Sequence, residues 1–148
     1  MNSENATFQE MVRRREIRVW FENAPLARTI PMTLLGLDKG AASVALQVRE
    51  SYLVEADSKR IVQGGILATL ADAAAVTAAM SLFPSGHTPL AHLDMAFLLP
   101  VTLEDETIIA AAEAIYETPR AALVKFAILG KNSEIKAFGT ARFAKPKS

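Results

Sequence analysis

The chain has 148 residues, 51% of them apolar and 22% charged, which suits one globular domain with a sizeable core and excludes a disordered or collagen-like protein. Sixteen basic and sixteen acidic side chains give a formal net charge of zero, which argues against nucleic acid or an anionic membrane as a partner. There is no cysteine, so disulfides, thiolate nucleophiles and cysteine zinc sites are excluded, and a cytoplasmic location is the default.

The first 24 residues are predicted to contain one helix and no export signal. Residues 1–10 lack the basic start and long apolar core of a secretory signal. Over residues 5–23, apolar side chains at near-helical spacing indicate an amphipathic helix lying on the domain, ended by Pro25. The three arginines at 13–15 are interpreted as a solvated face without a role. The apolar positions are Phe8, Met11, Val12, Val19 and Trp20.

Two strands and a connection are predicted next. Residues 30–37 and 41–48 have strand-like patterns, and Gly40 in the Asp38-Lys39-Gly40 link favours a hairpin turn. Residues 50–62 are interpreted as an irregular polar connection.

A buried helix is predicted over residues 64–82. Gly64 and Gly65 open it, and the run that follows is apolar nearly all round, so the rest of the fold is expected to surround it. The run is shorter than a membrane span and carries Asp72 near its middle, which favours a buried helix of a soluble protein. The segment from Phe83 to Gly86 is expected to end it.

Four further strands are predicted in the second half of the chain. The stretch 104–115 is rich in alanine and glutamate and has helical propensity, but its position between strands favours a strand. The element order predicts an α+β fold, with an antiparallel sheet wrapped around a long central helix in one domain, 1–148. The four segments are 90–101, 107–116, 121–129 and 134–144.

Two segments resemble hotdog-fold acyl-CoA thioesterases of the phenylacetate-degradation, or PaaI-like, type. They are Val62-Gln63-Gly64-Gly65-Ile66-Leu67-Ala68-Thr69-Leu70-Ala71-Asp72 and Leu93-Asp94-Met95-Ala96-Phe97-Leu98-Leu99-Pro100. The resemblance, over about residues 30–144, implies that Gly64 donates its N–H to the thioester carbonyl. It also implies that Asp72 is the catalytic base or nucleophile. Each site then lies at a dimer interface, with Gly64 of one protomer facing Asp72 of the other.

The chain departs from this family pattern at three positions. Gln63 stands where many relatives have histidine, Asp57 where many have asparagine or glutamine, and Leu90 where a hydroxyl residue is common. Gln63 could hold the carbonyl or a water through its amide, or have no role. Asp57 could share a proton with Asp72, or be a solvated loop acid.

The chemistry of Asp72 also follows from its surroundings in the sequence. A carboxylate within an apolar helix is costly unless it is paired or partly wet, and burial would raise its pKa toward the range that suits a general base. The alternative is an exposed stripe on the helix. Gly64 and Gly65 would let a ligand approach the free N–H groups of the first turn. Because Gly64 and Asp72 are eight positions apart, they lie about 12 Å apart along one helix.

Other patterns carry no predicted site. His92 and Asp94 share one face of a strand, but two ligands do not make a zinc site, and a subunit-contact or solvent-facing pair is the preferred interpretation. His87 is interpreted as a loop residue. No serine-hydrolase elbow or phosphate-cradling glycine loop is present, and no cofactor or metal is predicted.

The predicted function is therefore hydrolysis of an acyl-CoA thioester by a homodimer or homotetramer. The alternative is a non-catalytic acyl-CoA binder on the same scaffold, while a dehydratase would need a histidine near Asp72. Lys59 and Arg60 are the first candidates for the CoA phosphates. The remaining substrate-binding candidates are Gly65, Asp57, Val76 and Leu90, and an acyl pocket could be lined by Leu67, Val76, Met80, Leu90 and Phe97.

Overall fold

Alternating apolar side chains build a single six-stranded antiparallel sheet. The computed structural model describes residues 6–145. The strands are β1 (Met32–Asp38), β2 (Ala41–Gln47), β3 (Leu53–Ala56), β4 (Lys59–Val62), β5 (Leu90–Phe97), β6 (Thr107–Glu117), β7 (Ala121–Leu129) and β8 (Ile135–Ala144). Six of them pair in the order β1-β2-β6-β7-β8-β5, so β1 and β5 are the edges, while β3 and β4 form a separate hairpin. The segment 104–115 is thus mainly strand, as predicted.

The prediction of an irregular connection over residues 50–62 was wrong, because β3 and β4 pair there as a hairpin. The turn residues Asp57 and Ser58 have φ of 50° and 65°, and positive φ at both central positions is the geometry of a tight hairpin turn. Aspartate tolerates this conformation without the glycine that usually marks such a turn. Most side chains of the hairpin are exposed, so the alternation that reveals a strand is missing.

The central helix, α2 (Gly64–Met80), lies against β2, β6 and β7 in the middle of the sheet. Alanines on its sheet-facing surface are fully buried, and their small size lets the helix approach the sheet closely. The prediction of a buried helix is confirmed, with the end two residues earlier than expected. Within residues 6–145, no helix is long and apolar enough to cross a membrane. The buried alanines are Ala71, Ala74, Ala75, Ala78 and Ala79.

The amino-terminal helix, α1 (Phe8–Glu22), begins with a capping box between Thr7 and Glu10. The helix is confirmed, but the interpretation of its faces was wrong. The buried positions are Arg13, Ile17 and Phe21, whereas most of the apolar residues expected to pack inward are exposed. The exposed residues are Phe8, Met11, Val12 and Val19.

Arg13 explains this orientation of α1. Its Nε donates to the carbonyl oxygen of Phe83 (2.9 Å), and its Nη2 donates to those of Met80 (3.2 Å) and Gly86 (2.6 Å). The last carbonyls of a helix lack partners within the helix and favour a cation, so Arg13 stabilises the end of α2. The interpretation of the arginine run as a solvated face was therefore wrong for Arg13, while Arg15 is exposed.

Candidate active site

Asp72 lies near the middle of α2, on the surface that faces α1. Thr69 and Val76 share this surface because they lie three before and four after Asp72 on the helix, and Ala73 borders the same cleft. Together with α1 and the start of β1, they enclose a cleft of about 250 Å³. The lining residues from outside α2 are Trp20, Phe21, Ala24, Leu26, Ala27 and Met32.

The carboxylate of Asp72 is half-buried in this apolar cleft. Desolvation raises the pKa of Asp72, and no hydrogen bond or charge from residues 6–145 contributes to the shift. Asp72 therefore does not lie on a fully exposed stripe. A carboxylate with a raised pKa is a stronger base than an ordinary aspartate, and its partial exposure leaves it accessible to a water or a ligand.

The start of α2 brings Gln63, Gly64 and Gly65 to one place. Gln63 is the N-cap, but among the described residues no side chain caps the first turn. A β-carbon at Gly64 would lie 3.3 Å from the ring of Phe97, whereas one at Gly65 would meet no described atom within 4 Å. The first turn of α2 is thus open on the side of Gly65, where a carbonyl oxygen could approach its free N–H groups.

One protomer does not bring the two halves of the predicted site together. Gly64 and Asp72 belong to one continuous helix, so the rise per residue places them about 12 Å apart. An N–H and a carboxylate that act on the same carbonyl carbon must lie much closer than this. Both groups can serve one substrate only if a second protomer contributes one of them.

The other predicted site residues lie at several places. Asp57 is exposed in the β3–β4 turn, and Arg60 on β4 has its Nη1 3.5 Å from Oε1 of Glu50. Val76 lines the Asp72 cleft, whereas Leu90, at the start of β5, does not.

The predicted acyl-pocket lining needs a correction. Leu67 and Met80 are buried in the core, with 4% and 1% of their surface exposed, so they are not available to a ligand. The sequence patterns do not reveal the wall contributed by α1, the turn after it and β1. Trp20 belongs to the apolar pattern of the predicted first helix, but nothing in the sequence shows which part of α2 that helix covers.

His92 and Asp94 lie on the exposed part of β5, with Nε2 and Oδ2 3.5 Å apart. Among residues 6–145, no three potential metal-ligating side chains come together. The pair lies on an edge strand, where the prediction of a subunit-contact or solvent-facing role remains open.

Comparison with known proteins identifies the architecture. No protein-family model matches the chain, and no curated protein matches its sequence. A solved protein of the thioesterase superfamily has a TM-score of 0.80 at 21% identity, with 91% of this chain and 99% of that one covered. The PaaI protein of E. coli, from the phenylacetic acid degradation operon, has a TM-score of 0.81 at 19% identity, with 95% of each chain covered.

The chain has the hotdog fold. A third hotdog structure, a Streptococcus mutans protein bound to acetyl CoA, has a TM-score of 0.69 at 17% identity over 78% of this chain and 90% of that one. The predicted fold and its resemblance to PaaI-like structures are confirmed. The structural similarity establishes the fold, but sequence identities this low do not establish the function. The function has to be argued from the site.

Proposed function

We propose that this hotdog protein hydrolyses an acyl-CoA thioester to the free acid and CoA, with Asp72 as the catalytic carboxylate. The observation that carries the proposal is the half-buried Asp72 in an apolar cleft, where desolvation raises its pKa. Perturbed carboxylates in clefts are frequent at catalytic sites. The acetyl CoA bound to the Streptococcus mutans structure supports a ligand of the CoA type.

Thioester hydrolysis requires one carboxylate and hydrogen-bond donors to the carbonyl oxygen of the substrate. Asp72 either removes a proton from the attacking water or attacks the carbonyl carbon itself, in which case water hydrolyses the resulting anhydride. In both routes the carbon–sulfur bond breaks and CoA leaves as a thiolate; in the second route this happens as the anhydride forms, before water hydrolyses it. A thiol with a pKa of about 8.5 leaves readily, so no general acid is required.

The N–H of Gly64 in a second protomer supplies the donor to the carbonyl oxygen in this proposal. Electrostatic stabilisation of this kind typically contributes about 10²–10³-fold to the rate. Gln63 adds an amide at the same place. Gly64 and Asp72 of one helix lie about 12 Å apart. A site shared between protomers allows Gly64 of one and Asp72 of the other to contact the same substrate.

The open edge of β5 is the proposed pairing surface. Leu98 donates its N–H to Lys136 on β8, so by alternation Leu93, Met95 and Phe97 direct their N–H and C=O groups to the free edge. At the opposite edge, α1 already bonds one backbone group, because Nη1 of Arg18 donates to the carbonyl of Leu34 on β1 (3.1 Å). Pairing of two β5 strands would place a partner beside Phe97, whose ring contacts the Gly64 position.

The CoA phosphates need a local cationic surface, since the protein has no net charge. Lys59 and Arg60 lie on the exposed hairpin that leads directly into the start of α2. Only Arg60 has an ion-pair partner among the described residues, the exposed Glu50, and exposed pairs of this kind contribute little. Both cations therefore remain the proposed phosphate contacts.

The proposal is tested with Asp72→Asn, which keeps the shape of the side chain but cannot serve as a base or nucleophile. We expect kcat for thiol release from short, long and aryl CoA thioesters to fall by at least about 10²-fold, with little change in acyl-CoA affinity. The matched control is Glu113→Gln on the outer face of β6, which should keep the parental rate.

Two results would contradict the proposal in different ways. An Asp72→Asn variant as fast as the parent would remove Asp72 from the mechanism. A parent that binds acyl-CoA but hydrolyses none of the panel would favour the non-catalytic binder. Gln63 would then be the first position to examine, because among the described residues its side chain makes no capping bond.

A further inference from the structure

The cleft beside Asp72 has a wall that does not belong to the sheet or to the central helix. This wall consists of the end of α1, the 3-10 turn Pro25–Arg28 and the first residue of β1. Two polar side chains, Asp72 and Thr69, occur among the described lining residues. The Thr69 hydroxyl donates to the carbonyl of Gly65 at 2.9 Å, so the cleft presents apolar surface and one carboxylate.

We propose that this cleft holds the acyl group of the substrate and that Trp20 limits its length to about ten carbons. The inference rests on the proposed thioester hydrolysis, because it places the acyl chain next to the carboxylate that acts on its carbonyl. An apolar cleft with a single ionisable group suits a ligand whose apolar part is buried and whose reactive carbon lies at its end.

The volume of the cleft sets the limit. A cavity of about 150 Å³ accepts benzene, which corresponds to about 25 Å³ per carbon atom. A cleft of about 250 Å³ therefore holds about ten carbons by the same ratio. A sixteen-carbon chain would need about 400 Å³ and does not fit while the wall is in place.

Trp20 is held in position by a contact of its own ring and by hydrogen bonds of its helix. Its ring lies 5.6 Å from the ring of His87, which follows the end of α2. Its helix is tied to the same segment by the hydrogen bonds of Arg13 to Phe83 and Gly86. Because neither contact depends on a ligand, Trp20 is a fixed part of the wall of the cleft.

Fluorescence gives a direct test, because Trp20 is the sole tryptophan of the chain. S-alkyl-CoA thioethers cannot be hydrolysed and serve as probes. We expect S-hexyl-CoA to change the emission of Trp20 while CoA alone does not, and S-hexadecyl-CoA to bind at least about tenfold more weakly. Identical responses to CoA and S-hexyl-CoA would overturn the assignment.

Two substitutions should move the length limit in opposite directions. Trp20→Ala removes the wall and should raise the kcat/KM ratio of hexadecanoyl-CoA to hexanoyl-CoA at least about tenfold. Ala27→Leu fills the cleft and should lower the ratio of decanoyl-CoA to hexanoyl-CoA by a similar factor. The control is Phe8→Ala on the same helix, where the side chain is 79% exposed and outside the cleft. Thermal unfolding shows whether each variant is folded, and Ala27→Leu keeps the test decisive if Trp20→Ala is not.

The outcomes separate this inference from the proposed hydrolysis. A parent that hydrolyses no thioester, but whose Trp20 emission responds to S-hexyl-CoA and not to CoA, would retain the acyl cleft and refute the hydrolysis. A parent that hydrolyses hexanoyl-CoA and hexadecanoyl-CoA equally well, with ratios unchanged in both variants, would retain the hydrolysis and refute the acyl cleft.

Discussion

At the scale of single residues, burial of Asp72 favours its proposed role as a base but destabilises the folded protein. Its position on an alanine-rich helix leaves the carboxylate half-buried beside apolar side chains, and desolvation raises its pKa. The same desolvation that makes it a better base makes its charged form less favourable in the folded protein. Activity and stability are therefore expected to respond in opposite directions when the charge is removed.

This opposition predicts a pH-dependent stability difference for Asp72→Asn. The pKa of Asp72 is higher in the folded than in the unfolded chain, so the folded state holds the proton more tightly between the two values. The parent accordingly loses stability as the pH rises through that window, whereas the variant does not. In urea unfolding, the free energy of unfolding of the variant relative to that of the parent should increase as the pH rises above about 3.9. Above the pKa of Asp72 in the folded protein, this difference should stay constant. A difference independent of pH would contradict the prediction.

The two glycines at the start of α2 should respond differently to alanine. Gly65→Ala places a methyl group in open space and should stabilise the protein by about 0.4–1 kcal/mol, since it restricts the unfolded chain. At Gly64 the same methyl would lie 3.3 Å from the ring of Phe97, so the gain should be smaller or reversed. Urea unfolding of both variants measures the two effects, and equal gains would show that Phe97 does not restrict the Gly64 position.

At the scale of elements, α1 is held by one charged side chain, Arg13, together with the buried Ile17 and Phe21. The guanidinium of Arg13 donates to the carbonyls of Met80, Phe83 and Gly86 at and after the end of α2. Buried polar groups of this kind cost little when fully bonded but a great deal when one partner is lost. Arg13 is therefore expected to contribute to the attachment of α1, and with it to the position of the Trp20 wall.

We expect Arg13→Met to lower the free energy of unfolding by about 1–3 kcal/mol, because the carbonyls of Met80, Phe83 and Gly86 lose their hydrogen bonds from Arg13. Arg15→Met, on the exposed side of the same helix, should change it by less than about 0.5 kcal/mol. Urea unfolding of the two variants against the parent provides the measurement. Similar values for both would mean that the Arg13 contacts do not stabilise the end of α2.

At the scale of the whole molecule, two surfaces are suited to a second copy. The free edge of β5 offers unpaired backbone groups, which proteins usually cover or pair. The outer face of the sheet carries a groove of about 1260 Å³ with many apolar lining residues, including Ala111, Ala127 and Phe138. Exposed apolar patches of this kind mark interaction sites. We therefore propose a tetramer in which edge pairing forms active dimers and the outer faces join them.

Two lysine substitutions distinguish these surfaces. His92→Lys places a permanent charge on the exposed part of β5, outside the groove, where it should prevent pairing and yield inactive monomers. Ala111→Lys places the same charge on β6 in the outer face, and should yield dimers that keep the parental kcat. Light scattering after size-exclusion chromatography, with thiol release assayed on each peak, gives both readouts. A fully active monomer would exclude a site shared between protomers.

The long, strongly patterned elements could be predicted from the sequence. The apolar run of α2 and the alternation in β2 and β6–β8 have one arrangement that buries their apolar side chains, an antiparallel sheet around a helix. The motif around Gly64 and Asp72 pointed to the hotdog fold for the same segment. The β3–β4 hairpin could not be predicted, because its exposed side chains do not alternate and Asp57 and Ser58 replace the usual glycine.

The sequence by itself determined the fold class, the buried helix and the placing of one carboxylate within it. Local patterns are sufficient for this, since they reflect which face of each element must leave water. Only the tertiary structure decided that α1 turns Arg13 inward and that Trp20 and Ala27 complete the cleft around Asp72. These contacts join residues more than 40 positions apart, so no local pattern in the sequence reveals them.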